Sequence, residues 1–139
     1  MNPKGIRTTN VPKSDYLNYL KKAEEFLSTM QDSLIKGRWN SAGLNAVHSV
    51  ISTADAVLVC FHGIRSTSPK HDDIIKLFSN LIKHKDINQN IEHLRKLIAM
   101  KNVVEYEQRL IAQAEAISLS KHAERFFEWA KLILPKGVT

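Results

Sequence analysis

Apolar positions recur at helical spacing along most of the chain, and the longest such stretch lies in the middle, from Asn40 to Gly63. There Leu44, Val47, Ile51, Ala54, Leu58 and Phe61 repeat every three and four residues and form a core-facing seam. One position behind it, Gly43, Ala46, Val50, Val57 and Cys60 make a second seam, interrupted by Thr53. Its side chains are mostly small, so a neighbouring helix can pack closely on that flank. Asn45, His48, Ser52, Asp55 and His62 form a narrow polar line. A helix apolar around most of its circumference belongs in the middle of a bundle.

The other segments fit around it. Ser14 is placed to cap a first helix with the stripe Leu20, Ala23, Leu27, Met30 and Leu34, and Gly37 ends it. Tyr16, Tyr19 and Phe26 widen its apolar face, and Trp39 sits at the joint. Asn40 or Ser41 caps the central helix and Gly63 closes it. A third helix opens with Ser68 as N-cap, Pro69 at the first position and Asp72 and Asp73 at its positive end. Its buried face is Ile74, Ile75, Phe78, Leu81 and Ile82. The pattern breaks at Lys83–Lys85. Asp86 and Gln89 can form a capping box for a fourth helix with Ile91, Leu94, Leu97 and Ile98 inside. Near Tyr106 a kink or short loop is expected. The last helix, from about Ala112 to Leu134, keeps Ala116, Leu119, Ala123, Phe126, Ala130 and Ile133 in register, and Pro135 stops it.

No stretch alternates with a period of two, so no sheet is expected. The predicted fold is all-α, an antiparallel up-and-down bundle of about five helices. Residues 1–13, with Pro3, Gly5 and Pro12, read as a flexible basic lead-in, and residues 14–135 as a single domain.

Composition narrows the function classes without choosing among them. At 139 residues, 43% hydrophobic and 24% charged, the chain is long enough for one buried core. No uninterrupted apolar run reaches the ~18 residues of a membrane span, and the first residues lack the apolar middle of a signal peptide. A cytoplasmic protein with no membrane partner is the expectation. The sole cysteine, Cys60, excludes an internal disulfide and reads as an inert thiol on an apolar flank. The net charge is +6, but Lys4, Arg7 and Lys13 carry three of those charges in a lead-in without acids. The domain itself is only mildly basic. There is no phosphate loop, no dinucleotide fingerprint and no zinc-binding pattern among the scattered histidines, so neither metal nor cofactor is expected. His48 and Asp55, seven residues apart on the polar line, are spaced to hydrogen-bond.

The most suggestive chemistry is Arg65 with His71, an R-x5-H pair spanning the loop and the start of the third helix. A guanidinium holds a phosphate bidentately. A histidine at a helix N-terminus has its cationic form disfavoured by the dipole and stays available as a general base. Together they suit attack of a ribose 2′-hydroxyl on the adjacent phosphodiester without a metal. Lys101, close to Tyr106, adds a second cation beside an aromatic ring.

The run Ala46-x-His48-x-x-Ile51-x-x-x-Asp55-Ala56, followed by Gly63-x-Arg65 and His71, resembles the HEPN superfamily. The segment from Leu94-Arg95 to Tyr106, followed by an alanine-rich last helix, resembles its small stand-alone members. The resemblance implies a helical up-and-down bundle that commonly dimerises. Many members are metal-independent ribonucleases, often toxins, in which R-x(4–6)-H motifs from two subunits line one cleft. Others lack the motif and act as binding or regulatory domains. In this chain Arg65 and His71 match the motif as catalytic residues, with Arg95, Lys101 and Tyr106 as contacts to RNA or phosphate. The family often places its motif later, before the last helix. Here that place holds Lys101, Asn102, Glu105 and Tyr106, with no histidine following. Two functions are therefore expected. One is a domain binding RNA or nucleotide phosphate, in the form of a metal-independent ribonuclease of toxin–antitoxin type. The other is a non-catalytic interaction or regulatory module that pairs with itself or with a partner protein.

Overall fold

The computed structural model describes residues 5–136. Five long helices carry the fold: α1 (Tyr16–Ile35), α2 (Trp39–His62), α3 (Asp72–Leu81), α4 (Ile87–Ile98) and, after the short α5 (Lys101–Glu105), α6 (Gln113–Ile133). Consecutive long helices are joined by short connections, as in an up-and-down bundle. The bundle is built on α2, which packs most extensively against α1 and next against α6.

Both seams of α2 are used, and the small-residue flank is the more deeply buried. Gly43, Ala46, Val50, Thr53 and Val57 are all buried, whereas Leu44 and Ile51 are half-buried and Phe61 is 40% exposed. Close approach explains this. A Cβ on Gly43 would stand 3.4 Å from Val104 and 3.6 Å from Ile111, so α5 and the following loop lie almost against the backbone. Val47, Ala54 and Leu58 meet the main core, where Phe78, Phe126 and Trp129 pack ring to ring. Averaged over 18 residues, α2 is apolar enough to cross a bilayer, but 67% of that window is buried inside the bundle. Its hydropathy is that of a core helix.

Four expectations about helix starts need correction. Ser14 makes no cap; it lies in a 3-10 turn, Lys13–Asp15, ahead of α1. Neither Asn40 nor Ser41 caps α2, which already starts at Trp39. Asn40 Oδ1 instead accepts the Ile111 amide at 2.7 Å, and Ser41 Oγ bonds Ser33 Oγ at 2.8 Å. Ser68 does not cap α3, which begins at Asp72; its hydroxyl donates to Asp73 at 2.6 Å and accepts the Lys70 amide. Asp86 precedes α4 but makes no capping bond through its side chain. Asn40, Ser41 and Ser68 each make a tertiary or loop hydrogen bond in place of the local capping bond. The stops are as expected. Gly63 ends α2 in the left-handed conformation at φ 65°, and Leu134, before Pro135, turns extended.

The expectation of no sheet also needs correction. Thr8–Asn10 (β1) pairs antiparallel with Ile64–Ser66 (β2), in the register Thr8 to Ser66, Thr9 to Arg65 and Asn10 to Ile64. Flanking amides extend the ladder, Val11 to the Gly63 carbonyl and Thr67 to the Arg7 carbonyl. Ile6 is buried in the main core. Part of the segment expected as a flexible lead-in is thus a strand; Met1–Lys4 lie outside the described residues. Three-residue strands held by one neighbour leave no alternation to read.

Candidate functional site

Where α2 ends, Gly63 reverses the chain into β2, and β2 carries Arg65 back along the helix it has just left. The guanidinium therefore returns to the polar line of α2, where Arg65 Nη2 donates to Asp55 Oδ2 at 3.4 Å. Its other face lies over the Tyr19 ring of α1, 5.6 Å from the centroid. Asp55 is only 4% exposed. Burial pushes its carboxyl up to about 6, outweighing the opposing attraction and hydrogen bond of Arg65. Arg65 Nε is buried without a partner among the described residues, while the side chain as a whole remains 35% exposed. One edge of the guanidinium is thus anchored and the rest faces a cleft.

That cleft has a volume of about 160 Å³ and is walled by α2, β2, the loop to α3, the start of α3 and the α4–α5 joint. Arg65, Lys70, His71 and Lys101 bring nitrogen to it, Ser66 and Ser68 bring hydroxyls, and Ile51, Ile74 and Ile98 form its apolar side. This is room for a few waters or one phosphate-sized anion. His71 stands at the N-cap position of α3 and is half-buried rather than in the core. Its Nε2 lies 3.3 Å from Asn102 Oδ1 on α5. With Nε2 as donor to that carbonyl, Nδ1 is left as the acceptor. Through space, α3 therefore delivers an imidazole to the Lys101–Asn102 turn, which has no histidine of its own.

Lys101 is held by Glu105 at 2.5 Å, and Glu105 also meets His48 Nε2 at 3.1 Å. Although burial opposes it, the bond and charge of Lys101, with His48 behind, keep Glu105 below the usual carboxylate range. Here the sequence expectation fails in detail: His48 pairs with Glu105 and Asp55 with Arg65, not with each other. The α5 carboxylate and the β2 cation both lie outside α2, so spacing along α2 gave no sign of them.

The remaining sequence candidates lie apart. Tyr106 is 75% exposed and does not line the cleft, although its ring lies 5.9 Å from the Lys101 ammonium. Arg95 is exposed on α4, paired with Glu92 at 3.2 Å, and is not among the lining residues. The structure thus gathers Arg65, His71 and Lys101 and leaves Arg95 and Tyr106 outside. It adds Lys70 and the two serines, which sequence reading missed because loop residues carry no periodicity. No cluster of three or more metal-ligating side chains occurs among the described residues.

The model of the HEPN domain family matches residues 16–133, nearly the whole chain. No curated protein matches it.

Proposed function

The chain belongs to the HEPN family, and on that premise we propose that the Arg65–His71–Lys101 cleft binds an RNA phosphate and cleaves beside it without a metal. Family membership supports a nucleotide- or RNA-related module in general terms. The single observation that supports the finer reading is the convergence of a guanidinium, an ammonium and an imidazole on one cleft of phosphate size.

The chemistry asked of these groups is modest. Arg65 and Lys101 hold the non-bridging oxygens and offset the charge that builds on them. His71 Nδ1 takes the proton of the ribose 2′-hydroxyl as that oxygen attacks phosphorus. The bond from phosphorus to the 5′-oxygen breaks, and the proton passes to that oxygen. The products are a 2′,3′-cyclic phosphate and a 5′-hydroxyl, with no change in oxidation state. A second subunit would bring a second such set; a homodimer belongs to this proposal.

The test is cleavage of a fluorescent RNA by the full chain in EDTA. Arg65→Ala and His71→Ala should each lower the rate by at least ~100-fold while the helical circular dichroism is unchanged. Wild-type rates in either variant would remove the assigned roles.

One observation favours the alternative, a non-catalytic interaction or regulatory module. Two cations of the cleft already have carboxylate partners: Arg65 with Asp55 and Lys101 with Glu105. In that case the same charges serve as fasteners between β2, α2 and α5. A wild-type chain that neither binds nor cleaves RNA in the same assay would establish this reading over the first.

A further inference from the structure

At the C-terminal end of α2, where Phe61 and His62 stand, the surface is of another kind. The ends of α2, α3 and α6 and the connection from α3 to α4 enclose a trough of about 860 Å³. Its apolar surface comes from Phe61, Leu81, Ile82, Trp129, Leu132 and Ile133. Two of these are not spent on the bundle: Leu132 is 70% exposed and Phe61 40%. The Trp129 indole Nε1 is buried with no acceptor among the described residues. A bundle that fills its core elsewhere has no folding reason to leave two large apolar side chains on one rim.

The charges around the trough are not balanced. Lys83 and Lys85 both line it and are exposed, and neither has an ion-pair partner among the described residues. Asp86 is the one carboxylate in the lining, against those two ammonium groups. The imidazoles beside them are already engaged. His62 Nε2 bonds the Leu81 carbonyl at 2.8 Å, and His84 Nδ1 accepts the Asp86 amide while its ring meets Trp129 edge-on. Those bonds hold the connection against α2 and α6, so the two lysines stand on a fixed rim.

We propose that this trough docks an amphipathic helix of a partner protein, with apolar residues at i, i+3, i+4 and i+7 and acidic residues alongside. The apolar face of such a helix would cover Phe61 and Leu132. Its carboxylates would pair with Lys83 and Lys85, which also sets the direction in which it lies. A basic amphipathic helix would meet like charge on the same rim. The proposal is independent of the phosphate cleft, since the two sets of lining residues share no member.

A displayed library of helical peptides, selected against the full chain and counter-selected against Leu132→Glu, tests it. The enriched peptides should carry Asp or Glu beside the apolar stripe. By titration of the consensus peptide, Lys83→Ala/Lys85→Ala should weaken binding about tenfold, and Leu132→Glu should abolish it. Enrichment of basic or uncharged helices overturns the proposal, as does binding that Leu132→Glu leaves intact. If no peptide is enriched and Leu132→Glu instead abolishes self-association in sedimentation, the occupant is a second copy and the proposal fails. The variants' helical circular dichroism serves as the control for folding.

Discussion

Asp55 Oδ2 and Arg65 Nη2 lie 3.4 Å apart, yet the carboxyl is pushed up to about 6. The attraction of one half-exposed guanidinium does not repay the burial of the carboxylate inside the bundle. Between pH 7 and 5 the pair therefore passes from ion pair to neutral acid beside a free cation. Phosphate affinity of the cleft should rise over that interval, because Arg65 loses its internal counter-charge. A folded-state pKa above the unfolded value means the native chain takes up this proton first. Asp55 thus adds stability as pH falls from about 6 toward 4, by at most about 1.4 kcal/mol per unit. Carboxyl-carbon NMR measures the titration directly. A midpoint near 4 would remove both expectations.

The other titrating pair acts in the opposite sense. His93 on α4 and His122 on α6 place their Nδ1 atoms 2.8 Å apart, so one ring must donate and the other accept. Burial first, and then nearby cations (His122 and Arg125 for His93, Lys96 and Arg125 for His122), hold both below the usual imidazole range. The native state resists a proton that the unfolded chain accepts. Stability from this pair is therefore full above pH 6.5 and is lost as pH falls through the lowered values. His122→Gln should flatten the acid-side fall of the melting temperature relative to wild type. An unaltered fall would show that the pair is not its source.

Gly63 closes α2 at φ 65°, and a Cβ there would stand 3.3 Å from the Val11 carbonyl oxygen. That same residue's carbonyl accepts the Val11 amide at 2.8 Å. Gly63→Ala should cost about 1–2 kcal/mol in urea unfolding. It should also weaken RNA binding, since β2 and Arg65 follow directly. Gly5 shares the positive φ, at 73°, but has open space around its Cβ position, so Gly5→Ala separates the backbone cost from the contact with Val11.

Asn40 Oδ1 accepts the Ile111 amide at 2.7 Å, across 71 positions of sequence. It is the side-chain bond that ties the α5–α6 loop to the start of α2. Asn40→Ala should cost about 1–2 kcal/mol and raise hydrogen exchange at Ile111 and through α5. Protection unchanged at Ile111 would contradict the tether.

What could be read beforehand follows from the range of each interaction. The i, i+3, i+4 stripes of α1, α2 and α6 repeat often enough that their buried faces were legible, as were the stops at Gly63 and Pro135. Capping is the best local use of Asn40, Ser41 and Ser68, and each makes a different contact in the fold. β1 and β2 had no legible pattern because three residues show no period. At the site, Arg65 and His71 could be picked out by type and by their place around a loop. Their partners Asp55, Tyr19 and Asn102 arrive from three other helices, which no spacing rule connects.

The ladder between β1 and β2 has a practical corollary. Thr9 faces Arg65 directly, so the backbone that positions the guanidinium is clamped by residues near the front of the chain. Trimming the protein at Val11 would look like tidying a tail. It would instead unzip the strand that aims the arginine, and the loss would be mistaken for a defect in chemistry.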